Sequence, residues 1–138
     1  MVLVDSSVWI EALRGRGRIE IKLAVEGLLE VDEAQWCTPG RLEVLGGARQ
    51  DERDLLDQHF SAIPYRECDG QDWDRAISLA SKIRDSGLTV SWLNILVAAI
   101  ALHDGARLYA IGDHFQKIQE LTGLVLYEPG HGGMFRPE

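Results

Sequence analysis

Short apolar runs alternate with helix-spaced segments along nearly the whole chain. That alternation leaves few folds open. The runs pair into a mostly parallel sheet, and the segments between them cover both of its faces. Val2-Leu3-Val4 reads as a fully buried strand. Further strands are predicted at Ala34–Thr38, Ile63–Cys68, Leu108–Ile111 and Leu124–Tyr127. Ser6 or Ser7 caps a first helix carrying Val8, Trp9, Ala12 and Leu13. Arg14 to Arg18, with Gly15 and Gly17 between the arginines, reads as a flexible basic loop, and Ile19–Leu29 is helical by spacing. Thr38 caps a helix with Pro39 at its first position and Leu42, Leu45 and Ala48 along it. Asp51–Phe60 follows, with Leu55, Leu56 and Phe60 inward. Asp72–Asp85 is the clearest amphipathic helix, with Trp73, Ala76, Ile77, Ala80 and Ile83 at three- and four-residue steps. The helix from Ser91 through His103 is apolar nearly all round, so it is expected to be buried. His114–Leu121 is a short last helix. The fold class is therefore α/β, with a mostly parallel central sheet between two helical layers. Residues 1–128 form one domain, and 129–138 an irregular Gly-rich C-terminal tail.

Charge and cysteine usage narrow the chemistry. The 138 residues carry a formal net charge of −8. Phosphate affinity ordinarily comes from Lys and Arg, so an acidic chain is a poor general binder of nucleic acid. Carboxylates gathered around a divalent cation would reverse that locally. The basic residues are uneven, with Arg14, Arg16, Arg18 and Lys22 crowding one stretch. Cys37 and Cys68 have no paired spacing and suit neither a disulfide framework nor a zinc site. The start MVLVDSSVW has no basic region and no long apolar stretch, and the longest apolar run, Ile95–Leu102, falls far short of the roughly 20 residues of a membrane span. The expectation is a cytoplasmic protein.

In a parallel α/β sheet, ligands bind outside the carboxyl ends of the strands. Asp5 ends the first strand, and Asp113 follows the strand ending at Ile111. Each also fits an ordinary helix N-cap, and position alone leaves both readings open. Glu43 lies on the helix opened by Pro39, and Gly46 and Gly47 leave room on its face; a solvated surface glutamate is the plainer reading. Asn94 enters the buried helix in its first turn and needs a polar partner there. Other systems score poorly. Gly15-Arg16-Gly17 follows no strand and lacks a third glycine, no phosphate-binding loop is present, and the histidines have no metal-ligand spacing. Trp9, Trp36, Trp73 and Trp92 read as core.

Together, VLVDSSVWIE, RLEVLGGAR, NILVAAIALHDGARL and the GDHF segment resemble the PIN-domain family, and more narrowly the VapC-type toxins of bacterial toxin–antitoxin pairs. The resemblance runs from Val2 to Tyr127. It implies a three-layer α/β/α domain and a Mg²⁺- or Mn²⁺-dependent endoribonuclease, the toxin of a type II pair, cutting structured RNA such as tRNA. It implies a homodimer and a cognate antitoxin that plugs the acidic groove. Asp5 matches the first family acid as a metal ligand, Ser7 the hydroxyl that supports it, and Glu43 the second acid, as water-mediated ligand or base. Arg14, Arg16 and Arg18 would serve as an RNA-gripping arm. The chain departs from the family at two places. Asn94 stands where the third acid is normally an aspartate. Aligned on Phe115, the fourth acid falls on Gly112, with Asp113 one residue late. A metal site of Asp5, Glu43, Asn94 and Asp113 is then weakened or inactivated at Asn94. The rival reading is a catalytically degenerate PIN domain that binds RNA or an antitoxin without cleaving. For a shared cation, the carboxylates of Asp5, Glu43 and Asp113 should converge within about 5 Å.

Overall fold

A computed structural model describes residues 1–138. The buried strand β1 (Val2–Val4) sits at the centre of a four-stranded sheet with β2 (Ala34–Cys37), β3 (Tyr65–Arg66) and β4 (Arg107–Tyr109). The order is β3-β2-β1-β4, and every pair is parallel. Parallel neighbours need long crossovers, and helices fill them. These are α1 (Ser6–Leu13), α2 (Ile19–Glu30), α3 (Thr38–Gly46), α4 (Gln50–Phe60), α5 (Gly70–Asp85), α6 (Trp92–Asp104) and α7 (His114–Leu121).

Strand side chains alternate between the two faces and build two cores. Val2, Val4, Trp36 and Tyr109 pack with Val8, Trp9, Val25, Leu28 and Phe60. Leu3, Cys37 and Leu108 pack on the opposite face with Leu79, Ile83, α6 and Phe115. The expected three layers follow. As anticipated, α6 is buried through Ile95–Ala101. Its cap Ser91 accepts from the Asn94 N–H, and Gly105 closes it in the left-handed region. No helix is long and apolar enough to cross a membrane.

Several local expectations are corrected. Asp5, not a serine, caps α1. Cys37 occupies the cap position of α3, while the Thr38 hydroxyl accepts instead from the Cys68 N–H at 2.8 Å. The third strand shrinks to Tyr65–Arg66. The strand expected at Leu124–Tyr127 makes one parallel bridge, Leu126 to Leu108. Leu55 is 71% exposed, because α4 touches the core mainly through its last turn at Phe60.

The α5 stripe is rotated from its expected face. Asp72, Ala76, Leu79 and Ile83 point inward, while Trp73 and Ile77 are 54% and 67% exposed. The cause is electrostatic. Arg66, at the end of β3, holds both Asp72 oxygens, at 2.8 and 2.9 Å, and both oxygens of Asp104 on α6, at 2.7 and 3.1 Å. Asp72 also completes a reciprocal capping box with Asp69. Turning Asp72 inward turns its neighbour Trp73 out, since successive helical residues differ by about 100°.

The tail crosses α2 through a 3₁₀ turn at His131–Gly133. Arg107 donates to the Arg136 and Pro137 carbonyls at 2.7 and 3.2 Å and lies over the Tyr127 ring. Gly133 has φ +84°, and a Cβ there would meet the Leu23 carbonyl oxygen at 2.6 Å and the Ala24 nitrogen at 2.7 Å. Gly133→Val is expected to unseat the tail at a cost of about 1–3 kcal/mol. Hydrogen exchange over residues 129–138 should rise while exchange in β1 and α6 stays slow; unchanged protection of the tail would refute the close-approach argument.

Candidate active site

The chain steps from β1 to β2 to β3 in one direction, then returns past β1 to lay down β4. The crevice at such a reversal, beyond the carboxyl ends of β1 and β4, is where open α/β sheets bind ligands. Asp5 stands there. Its backbone N–H donates to the Tyr109 carbonyl at 2.9 Å, tying the two strand ends together.

The two readings of Asp5 are both realised, one by each oxygen. Oδ2 accepts from the Ser7 N–H at 3.2 Å and from the Ser7 hydroxyl at 2.6 Å, which is the cap of α1. Oδ1 is buried and has no partner, in a residue only 6% exposed. Ser7 does more than support Asp5. Its Oγ also accepts from the Ile111 N–H at 3.1 Å, so one hydroxyl joins the β1–α1 corner to the segment after β4.

Glu43 projects from α3, which packs against α1 and α6. It is half-buried, and its Oε1 has no hydrogen-bond partner. Burial raises the Glu43 carboxyl above its ordinary range, and the negative charge of Asp5 raises it further, with the Ser6 hydroxyl opposing. The packing of α3 on α1 puts Glu43 on the side of Asp5. Ser6, buried at the head of α1, is a polar member of this site that sequence reasoning treated only as a cap. The adjacency of two serines after Asp5 was the available signal.

An unpartnered buried carboxylate oxygen is costly, and Asp5 and Glu43 each carry one. A hard divalent cation, which takes oxygen ligands, fits this donor set. No third His, Cys, Asp or Glu gathers with the pair. Asp113 is exposed at the head of α7 and makes no capping bond. Gly112 before it has φ +97°. Asn94 lies partly exposed in the first turn of α6, its backbone N–H on Ser91 Oγ at 3.3 Å. Burial pushes the Cys37 thiol up to about 12 and also raises Cys68, which disfavours the thiolate at both.

The basic segment after α1 is folded rather than loose. Glu11 accepts from the Arg18 N–H at 2.9 Å and pairs with the side chains of Arg14 and Arg18. Lys22 closes the end of α1, donating to the Ala12 carbonyl at 2.8 Å and to the Arg14 carbonyl. Arg14, Arg16 and Arg18 all remain exposed.

VapC ribonuclease Mb1587 of Mycobacterium bovis is 32% identical over 129 residues, covering 90% of this chain and 96% of the relative. The chain belongs to the VapC ribonuclease family. Ribonuclease VapC11 of Mycobacterium tuberculosis matches with the same identity and coverage. No protein-family model matches. The VapC fold is seen again in solved structures. FitAcB from Neisseria gonorrhoeae superposes with a TM-score of 0.75 at 15% identity, covering 95% of this chain and 99% of that one. VapBC2 from Rickettsia felis, bound to a DNA fragment from their promoter, gives 0.74 at 14% identity, covering 92% and 98%. At these identities the likeness bears on the fold alone.

Proposed function

We propose that this chain is the toxin of a type II toxin–antitoxin pair, a Mg²⁺- or Mn²⁺-dependent endoribonuclease acting in the cytoplasm. The observation that carries the reading is the pair of buried, unpartnered carboxylate oxygens, Asp5 Oδ1 and Glu43 Oε1, in a VapC-family chain. Asp5 and Glu43 would hold the cation, with the neutral Asn94 as a further oxygen donor and Asp113 outside the site. When bound, the ion supplies a Lewis acid for a phosphodiester oxygen and a water of lowered pKa. Ser7 holds the Asp5 carboxylate in one orientation. Glu43, whose carboxyl is raised above its ordinary range by burial and by the charge of Asp5, would act as the base toward the attacking water. Arg14, Arg16 and Arg18 contact backbone phosphates and orient the RNA, tRNA being the substrate class we favour. An antitoxin partner is supported by the VapBC complexes among the structural neighbours. A homodimer is supported by the exposed apolar side chains of Trp73 and Ile77, one turn apart on α5.

The missing third carboxylate favours a second reading, a domain that binds RNA or antitoxin without cutting. Cleavage of a tRNA pool with Mn²⁺ separates the two. The expected result is slow, EDTA-sensitive cleavage, raised at least tenfold in Asn94→Asp. Failure of both proteins to cut would count against the nuclease reading, and retention of the uncut tRNA by the protein would then favour the binding-only one.

A further inference from the structure

The Asp5–Glu43 pair is short of charge for the cation it would hold. Ser7 occupies Asp5 Oδ2, which leaves Oδ1, and Glu43 offers Oε1. No third His, Cys, Asp or Glu joins them. The segment that could bring another acid is pinned elsewhere: the Ile111 N–H is held on Ser7 Oγ at 3.1 Å, Gly112 turns at φ +97°, and Asp113 faces solvent. Mg²⁺ and Mn²⁺ take about six oxygen ligands, and their affinity follows the number of charged ones. Two carboxylates neutralise such an ion and leave most of its positions to water. Without RNA it is therefore held weakly. The neutral unit also lacks the surplus negative charge that would repel an incoming phosphate. A phosphodiester oxygen supplies the anionic ligand that the protein does not.

We propose that this chain takes up its divalent cation together with RNA, the phosphodiester completing a site the protein leaves two carboxylates strong. The inference rests on the metal-dependent reading above. Linkage makes it reciprocal: RNA tightens the metal by the same factor as the metal tightens RNA.

The test is binding rather than turnover. Free Mn²⁺ is followed by electron paramagnetic resonance as the full chain is titrated, alone and with a saturating mixed-sequence 2′-O-methyl RNA tetranucleotide. Uptake by the tetranucleotide alone is subtracted. Mn²⁺ should bind at least tenfold more tightly with the tetranucleotide present. Tetranucleotide binding, read by fluorescence anisotropy, should tighten by the same factor when Mn²⁺ is added. In Asn94→Asp, Mn²⁺ alone should bind at least tenfold tighter and the coupling should fall below about threefold. Equal Mn²⁺ affinity with and without the tetranucleotide, abolished by Asp5→Asn, would overturn the coupling and leave the metal-dependent reading standing. Mn²⁺-independent tetranucleotide binding would overturn the coupling as well. No Mn²⁺ uptake in either state would overturn both.

Discussion

Asp5→Asn is expected to remove Mn²⁺-dependent RNA cleavage by about 10³-fold or more, with the melting temperature moved by only a few degrees. The substitution separates the two duties of one side chain. The amide oxygen of asparagine still accepts from the Ser7 N–H and hydroxyl, so the cap of α1 survives. What disappears is the charge on the unpartnered Oδ1, together with half of the negative charge of the Asp5–Glu43 pair. Asp5→Ala should lose the same activity and also about 1 kcal/mol of stability, because the cap goes too. Ser7→Ala should fall between: the carboxylate keeps its charge but loses its orientation and its link to Ile111. All three variants are read in the parent chain and in the Asn94→Asp background, where the rate to be lost is larger. An Asp5→Asn protein that cuts at the parental rate would move the active site away from the β1–β4 crevice altogether.

Asp5 was legible because topology and chemistry coincide there. A strand too short and apolar to be anything but buried must deliver its next residue to the ligand edge of a parallel sheet. Glu43 was legible as a candidate from its glycine neighbours, but only burial beside Asp5 distinguishes it from a surface glutamate. The geometry around Asp113 was not legible. Whether one residue of displacement reaches the site depends on a backbone turn at Gly112 and a hydrogen bond from Ile111 to Ser7, a contact across the fold that no local pattern encodes. The basic arm shows a similar limit. Glycines between arginines read as mobile, yet Lys22 and Glu11, which hold the segment, lie outside it. On α5 the period was right and the face partly so: Ala76 and Ile83 are buried as expected and Ala80 packs on the core, while Trp73 and Ile77 turn outward. Two apolar stripes lie side by side there, and the choice between them is made by Arg66, a residue of another element. Periodicity reports that a helix has an inward face; the charges it must satisfy decide which one.

Arg66→Ala is accordingly the largest expected effect on stability, a loss of about 3–5 kcal/mol measured by denaturant unfolding. The residue gathers Asp72 from α5 and Asp104 from α6 at the end of β3, and Asp72 is 0% exposed. Removing the guanidinium leaves a buried carboxylate held only by the Asp69 N–H at 2.9 Å and by a looser Arg75 contact at 3.6 Å. Arg66→Lys should recover part of the loss, since an ammonium keeps the charge but not the planar fork that meets two carboxylates at once. The pH dependence identifies the cause. Arg66, with the Asp69 N–H assisting, lowers Asp72 from 3.8 to about 2. A carboxyl depressed in the folded state stabilises fully above its unfolded pKa and loses that contribution as pH falls through the folded value. The parent should therefore lose about 2 kcal/mol between roughly pH 4 and pH 2 through this group. In Arg66→Ala that acid limb should flatten or reverse, because burial without a cation raises the carboxyl instead. An Arg66→Ala protein with parental stability and an unchanged acid limb would show that packing alone, and not this ion cluster, sets the rotation of α5.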